Sequence, residues 1–67
     1  MNPQRIGEKL KALRSNQTLK EVSGILGISD SALNAYELGL RVPRDDVKIK
    51  LAKYYGQSIE SLFYEDF

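Results

Sequence analysis

Apolar residues recur three or four positions apart in five stretches of the chain, which is the spacing of one face of a helix. No stretch alternates apolar and polar residues for long enough to predict a strand. The spacing therefore predicts five helices. They run over Pro3 to about Arg14, about Leu19 to Leu26, Asp30 to about Leu38, Asp45 to Tyr55, and a last short segment after Ser58 that holds Ile59, Leu62 and Phe63.

Residues typical of helix ends flank these stretches. Asn2 precedes a proline and is typical of the cap of a first helix. Thr18 and Glu21 stand three positions apart, as in a capping box, before the second helix. Ser29 stands in the capping position before the third helix, and Gly27 can take the left-handed conformation that ends the second. The predicted helix boundaries therefore agree with the apolar spacing.

The second and third predicted helices have the residue spacing of a helix-turn-helix unit. The apolar and small positions of that unit are Val22, Ser23, Leu26, Gly27, Ile28, Leu33 and Tyr36. Val22 and Leu26 share one helix face, Ile28 fills the corner before the next helix, and Ser23 is small enough to let that helix cross closely. The pattern predicts a helix-turn-helix core over residues 18–38, a unit that places one helix in the DNA major groove.

Length and composition restrict the possible functions. The 67 residues can bury only a modest core, so we predict one domain over residues 1–67. The chain has no cysteine and no histidine, which excludes disulfides, thiol chemistry, the usual zinc sites and a histidine base. Asp45 and Asp46 open a helix, where negative charge favours the dipole, and no metal-ligand partners accompany them. We expect no enzyme activity, no cofactor and no metal.

No apolar run approaches membrane-spanning length, and the first ten residues are amphipathic. We therefore expect a cytoplasmic protein with no membrane partner. The net charge is only +1, but it is unevenly distributed. Residues 1–57 hold all ten Lys and Arg against six acids, a balance of +4, whereas residues 58–67 hold three acids and no base. We expect the acidic end to point away from phosphate and the basic remainder to face it.

Several motifs in order resemble a known family. They are IGEKLKALR (Ile6 to Arg14), the helix-turn-helix core, YELGLRVP (Tyr36 to Pro43) and LAKYYGQSIESLF (Leu51 to Phe63). Over nearly its whole length the chain resembles the Cro and phage-repressor type helix-turn-helix proteins, also called the XRE family. The resemblance implies an all-α, five-helix bundle of the lambda-repressor-like DNA-binding domain type. Members are mostly repressors or activators that bind operators as dimers.

The resemblance also implies which residues read bases. Positions that touch base edges in similar proteins are occupied here by Ser29, Asp30, Ser31, Asn34 and Ala35. Asn can pair bidentately with adenine, Ser is adaptable, Asp accepts from cytosine N4, and Ala can pack on a thymine methyl. Ser29 and Asp30 also start a helix. Asp30 brings negative charge to a position where many relatives carry Arg, Lys or Gln.

Phosphate contacts are expected from residues around the third helix, which is the recognition helix of the unit. These residues are Thr18, Leu19, Lys20, Arg41 and Arg44. Thr18 and the free amides that open the second helix can hold one phosphate, and Arg41 matches a basic position that grips the backbone in relatives. Relatives commonly have Gln at the position of Leu19, whose side chain cannot make that hydrogen bond. Either a backbone amide suffices there, or part of the usual DNA footprint is missing.

Two positions match a structural ion pair of the family. Arg14 and Glu37 occupy the positions of a pair that ties the first helix to the end of the recognition helix in similar proteins. Two unconnected surface charges are the alternative interpretation, and the pair is favoured. We expect it to fix the angle of the recognition helix, so that losing one partner costs more than losing one half of an exposed pair would.

Five of the six aromatic residues lie between residues 54 and 67, more than so small a bundle can cover. Tyr55 and Phe63 are predicted to lie in the core. The family analogy favours a two-fold homodimer through the fourth and fifth helix region. The dimer candidates are Leu40, Val42, Tyr64 and Phe67. The last two could instead clamp the final helix to its own body.

These patterns favour a sequence-specific regulator of transcription that binds double-stranded DNA, with repression favoured over activation and an inverted-repeat operator bound by a homodimer. An antitoxin or a restriction-controller protein is an alternative that would also bind DNA. A protein-interaction module that kept the fold and lost DNA binding is an alternative of a different class. Asp30, Leu19 and the low net charge are the features that support it.

Overall fold

Five helices form the regular structure of residues 1–65, the part of the chain that the computed structural model describes. They are α1 (Pro3–Arg14), α2 (Leu19–Leu26), α3 (Asp30–Glu37), α4 (Asp45–Tyr55) and α5 (Glu60–Tyr64), a short segment of π-helical geometry. No strand occurs within these residues. The prediction of an all-α fold with five helices is confirmed.

Side-chain caps begin the first three helices, as the sequence predicts. The Asn2 side chain accepts hydrogen bonds from the amides of Gln4 and Arg5, at 3.1 and 3.2 Å. α2 ends at Gly27, whose φ of 70° is in the left-handed region. α4 ends in the same way at Gly56, with a φ of 65°. These local signals explain why the predicted ends agree with the structure to within about one residue.

The core is one cluster of apolar side chains drawn from all five helices. Its buried members are Ile6, Leu10, Val22, Leu26, Leu33, Tyr36, Val47, Leu51, Ala52, Leu62 and Phe63. Phe63 is fully buried, so α5 closes the bundle through this ring. Tyr55, which was also expected in the core, is only half-buried and packs against it.

α1 and α3 approach each other most closely at Gly7. A Cβ atom at this position would lie 2.3 Å from the carbonyl oxygen of Glu37 and 2.8 Å from that of Tyr36. Those oxygens belong to backbone and cannot move aside as a flexible side chain could. The absence of a side chain at Gly7 is therefore what lets the last turn of α3 rest against α1.

A buried lysine joins α4 to α5. The Lys48 ammonium donates a 2.8 Å hydrogen bond to the Tyr64 hydroxyl and lies 5.0 Å from the centre of that ring. It also lies 5.8 Å from the centre of the Phe63 ring and 3.7 Å from the Asp45 carboxylate, which is exposed. The cation is therefore held mainly by the neutral Tyr64 hydroxyl, with the Phe63 ring beside it.

Candidate nucleic-acid interface

The start of α2 is fixed by a complete capping box. The Thr18 amide donates to the Glu21 carboxylate at 2.7 Å, and the Glu21 amide donates to the Thr18 hydroxyl at 3.0 Å. The hydrogen bond from the Thr18 amide is also what lowers the pKa of Glu21 below its ordinary value, since it favours the charged carboxylate. Two of the donors that a helix start leaves open are thus used, and the entry of the chain into α2 is well defined.

The turn between α2 and α3 is closed by backbone and by a second cap. The Ile28 amide donates to the Ser23 carbonyl at 3.0 Å, and the half-buried Ile28 side chain packs against the core. The Ser29 hydroxyl accepts from the Ala32 amide at 3.0 Å and so caps α3. Together with Gly27, these contacts set the angle at which α3 leaves the turn.

One face of α3 is buried and fixes the helix to α1. Leu33 and Tyr36 enter the core, and Glu37 is buried with 8% of its surface exposed. Arg14 donates to both oxygens of this carboxylate, from Nε at 2.8 Å and from Nη2 at 3.0 Å. Its Nη1 donates to the Gln17 carbonyl at 2.7 Å. The structure thus brings together the two residues that the family resemblance pairs, in the forked geometry that gives such pairs their directionality.

The pKa values around this pair follow its geometry. The hydrogen bond to Glu37 raises the pKa of Arg14 further above its already high ordinary value. Burial, helped by the Glu37 charge, raises the pKa of the neighbouring Tyr55 to about 12. The buried Tyr55 hydroxyl makes no hydrogen bond within residues 1–65. Arg14 therefore stays charged and Tyr55 stays neutral over the whole neutral range.

The opposite face of α3 is polar and exposed. Ser31 and Asn34 lie one turn apart on this face, and neither side chain makes a hydrogen bond to another group of residues 1–65. Ala35 is half-buried beside them. Their donors and acceptors face solvent and are available to an external partner.

Two predicted base-reading residues have partners inside the protein. Ser29 is exposed, but its hydroxyl serves as the cap of α3. The Asp30 carboxylate accepts a hydrogen bond through Oδ1 from the hydroxyl of Ser23, which lies on α2. Both residues thus have structural tasks in addition to any external contact.

Three residues at the start of α2 were expected near phosphate. Thr18 and Lys20 are exposed. The Leu19 side chain is half-buried and packs against the core, which explains how an apolar residue fits at this position. Leu19 and Lys20 supply the first two amides of α2, and amides there have no intrahelical acceptor. Any phosphate contact of Leu19 would therefore come from its backbone.

Two arginines flank the carboxyl end of α3. Arg41 is exposed, and its guanidinium carbon lies 5.6 Å from the centre of the Tyr36 ring. That contact places the guanidinium itself beside the Tyr36 ring of α3, while the side chain as a whole remains exposed. Arg44 is the exposed residue before α4, and its Nε is 4.0 Å from the Asp46 carboxylate.

The dimer candidates lie on the surface to different extents. Leu40 is 74% exposed, Tyr64 39% and Val42 37%. Tyr64 also accepts the hydrogen bond from Lys48 and so belongs in part to its own bundle. Phe67 lies outside the described residues.

The sequence does not predict two contacts of α3, at Gly7 and Ser23, and one contact between α4 and α5, at Lys48. Gly7 gave no signal beyond being a glycine inside a predicted helix, a position where glycine costs stability and therefore asks for a reason. Ser23 was assigned only a small size, although its hydroxyl contacts Asp30. Lys48 lies one residue after Val47 on the apolar side of α4, a place where a long side chain can bury its stem.

The comparison with protein families agrees with this geometry. Residues 7–64 match a family model described as a helix-turn-helix domain. The chain belongs to this helix-turn-helix family. The family is of the XRE and Cro type, as the motifs predicted, and its fold is of the lambda-repressor-like type. It is a family of DNA-binding domains and not of enzymes.

No curated protein and no solved structure matches the chain. Among the helices of residues 1–65, none has the length and apolar character needed to cross a membrane.

Proposed function

We propose that this helix-turn-helix protein, acting as one domain over residues 1–67, is a sequence-specific regulator of transcription that represses by occupying an operator in double-stranded DNA. The observation that carries the proposal is the division of α3 into two faces. Its inner face is attached to α1 through Glu37 and Arg14. Its outer face presents the free polar groups of Ser31 and Asn34. A rigidly attached helix with an unused polar face is suited to read base edges.

We assign base contacts to the outer residues of α3. Asn34 can pair bidentately with adenine, Ser31 can donate or accept, and Ala35 can contact a thymine methyl group. Ser29 and Asp30 lie at the end of α3 that enters the groove first. Ser29 contributes mainly by capping, and Asp30 contributes with the carboxylate oxygen that Ser23 does not occupy.

We assign phosphate contacts to groups on both sides of α3. Thr18, Lys20 and the Leu19 amide form one contact point at the start of α2, where helix amides and dipole favour an anion. Arg41 and Arg44 form the second, beyond the carboxyl end of α3. Contacts of this kind position the protein on the duplex and are indifferent to sequence.

We further propose that two copies bind together. Leu40, Val42, Tyr64 and Phe67 are the candidate contacts between the copies, since the first three expose apolar surface near the end of α3 or on α5. A two-fold dimer would place its recognition helices in successive major grooves, with inverted half-sites about 10 base pairs apart. We expect the protein to bind its partner, double-stranded DNA, in the cytoplasm.

Selection of bound sequences from a random DNA pool tests this function directly. The expected product is an inverted repeat with half-site centres about 10 base pairs apart, bound by two copies of the protein. A single unrepeated core that is saturated by a monomer would contradict the dimer. A pool that shows no enrichment at all would contradict sequence-specific binding.

One observation favours a second candidate function. Leu38, Leu40 and Val42 expose apolar side chains in and after the last turn of α3, where a purely DNA-facing loop would be polar. A protein-interaction module would use this surface. An antitoxin or restriction controller would use it for a protein partner while still binding DNA. Weak retention on heparin together with tight capture of one protein partner would favour the interaction module.

A further inference from the structure

The contact between Ser23 and Asp30 joins the two helices of the helix-turn-helix unit at the end that would enter DNA. Ser23 is 1% exposed, and its hydroxyl donates to Asp30 Oδ1. The other acceptor within reach of the hydroxyl among residues 1–65 is the Lys20 carbonyl, at 3.2 Å. A hydroxyl has one proton, and a charged carboxylate is the stronger acceptor. From this contact we propose that Ser23 positions the Asp30 carboxylate as a base-discriminating group that selects cytosine at one position of each half-site.

The charge of Asp30 determines what the end of α3 can approach. A helix start normally attracts phosphate, because its amides and its dipole favour an anion. Here the first residue of α3 is itself a carboxylate, which offsets that partial positive charge and repels the DNA backbone. The end of α3 therefore suits the edges of bases, between the two phosphate contact points at the start of α2 and at Arg41.

The chemistry of a carboxylate narrows the choice of base. An ionised carboxylate only accepts hydrogen bonds. In the major groove guanine and thymine present acceptors, whereas cytosine presents the N4 donor and adenine presents its N6 donor next to the N7 acceptor. The adenine N7 would repel the free carboxylate oxygen. Cytosine offers a donor without that penalty, so it is the base selected.

The hydrogen bond from Ser23 leaves one carboxylate oxygen for this purpose. Within residues 1–65, Asp30 Oδ1 accepts from Ser23 and no hydrogen bond involves Oδ2. Because Ser23 is buried on α2, it fixes the rotamer of Asp30 relative to the whole helix pair. A group fixed before binding loses less freedom when it meets its partner. Ser23 is therefore a positioning residue, and Asp30 is the residue that would touch the base.

Selection from a random DNA pool, run in parallel on the full chain and on two variants, tests this inference, which rests on the proposed function. The wild type should enrich one cytosine in each half-site at the position nearest the start of α3. Asp30→Asn keeps an oxygen that can accept from Ser23 but replaces the charge with an amide. It should lose the cytosine preference by about tenfold and favour guanine or thymine there, because the amide that replaces the free oxygen donates hydrogen bonds and these bases present acceptors. Ser23→Ala keeps the charge but frees the side chain, and should reduce the cytosine preference about threefold.

The outcomes separate this inference from the proposed function. If the wild type enriches no sequence, both are wrong. If the wild type enriches an operator and Asp30→Asn enriches the same operator sequence, only the selection of cytosine by Asp30 is wrong. If Asp30→Asn changes the base and Ser23→Ala does not weaken the preference, the positioning role of Ser23 is overturned. Thermal melting of each variant accompanies the selection, and a change in melting temperature with unchanged base preference counts as the result expected of a merely structural contact.

Discussion

The two halves of the bundle bury a cation in opposite ways. In the half built from α1, α2 and α3, Arg14 forms two parallel hydrogen bonds to the buried Glu37 carboxylate. In the half built from α4 and α5, Lys48 is 6% exposed, yet its carboxylate neighbour Asp45 is exposed and 3.7 Å away. Its closest partner is neutral, the Tyr64 hydroxyl at 2.8 Å, and the centres of the Tyr64 and Phe63 rings lie 5.0 and 5.8 Å away.

The difference shows which contacts fix the orientation of the helices in each half. A forked pair between two largely buried groups fixes an orientation, and each partner depends on the other for its charge to be tolerated. A lysine over aromatic rings fixes little, because its stem packs like an apolar chain and its charge has no buried counterpart. The half that presents α3 is therefore held at a defined angle, whereas the α4 and α5 half depends on apolar packing.

The largest effect is expected where the α1 to α3 contact is closest. Gly7→Ala should destabilise the fold by more than about 3 kcal/mol, because its Cβ would collide with backbone that cannot move aside. Gly24→Ala is the matched control, since nothing lies within 4 Å of its added Cβ. That variant should gain about 1 kcal/mol from helix propensity alone. Urea denaturation measures both, and similar changes for the two glycines would contradict the close approach of α1 to α3.

The second largest effect is expected at Arg14, and it can be compared directly with the effect of replacing Lys48. Arg14→Ala should lower the free energy of unfolding by about 3 kcal/mol, since it leaves the Glu37 carboxylate buried without its partner. Glu37→Ala should resemble it, and both should weaken DNA binding indirectly. Lys48→Met keeps a long apolar side chain and should cost less than about 1 kcal/mol. If Lys48→Met lowers the melting temperature as much as Arg14→Ala does, the two halves are not held differently.

Within the half that carries α3, two variants should separate the reading of bases from the phosphate contacts that position the protein on DNA. Asn34→Ala should cost about 1 to 3 kcal/mol on the selected operator and leave binding to random DNA nearly unchanged. Arg41→Ala should weaken binding to both DNAs by similar factors and reduce the salt dependence by about one unit of slope. Titrations at several salt concentrations measure this. Equal, sequence-independent losses for both variants would mean that α3 does not read bases.

The smallest effect concerns Tyr55, where α4 meets the ion pair. Its hydroxyl is buried without a hydrogen bond within residues 1–65, so Tyr55→Phe should raise stability at pH 7, by about 1 kcal/mol, because it removes an unsatisfied polar group. The folded pKa of about 12 exceeds the ordinary value of 10.0. Ionisation therefore favours the unfolded chain, and the wild type should lose stability as the pH rises from about 10 towards 12.

Tyr55→Phe should be less sensitive to alkali than the wild type over the same pH range, since it removes the ionisable group. Tyr54→Phe is the control. The Tyr54 hydroxyl accepts a hydrogen bond from Gln17, so its removal should lower stability at pH 7. An unchanged alkaline melting profile for Tyr55→Phe would refute the assignment of this loss to Tyr55.

The local features of the fold could be predicted from the sequence. Thr18, Ser29 and Gly27 act through neighbours three or four residues away, so their roles are visible in the chain itself. The buried stripe of α3 was predictable for the same reason. Arg14 and Glu37 are 23 positions apart, and only the resemblance to a family, not any local pattern, paired them before their 2.8 Å contact was seen.

The remaining features depend on neighbours that are distant in sequence. Gly7 is needed because of Glu37, and nothing near Gly7 in the chain indicates that α3 crosses there. Burial of Lys48 contradicts the average behaviour of lysine and depends on rings that α5 brings over α4. The contact of Asp30 with Ser23 depends on the geometry of the turn between α2 and α3. The sequence therefore predicts a base contact for Asp30 but not its hydrogen bond with Ser23.

The outer face of α3 has a consequence for how this protein can change over evolutionary time. Ser31 and Asn34 contribute nothing to the buried core, so, under the proposed base contacts, substitutions at these two positions should alter the preferred operator without endangering the fold. Asp30 is different, because its carboxylate also accepts the hydrogen bond that joins α3 to the buried Ser23 hydroxyl of α2. New operator preferences should therefore arise most readily by single steps at Ser31 and Asn34, whereas a change at Asp30 should alter both the base contact and the contact between the two helices.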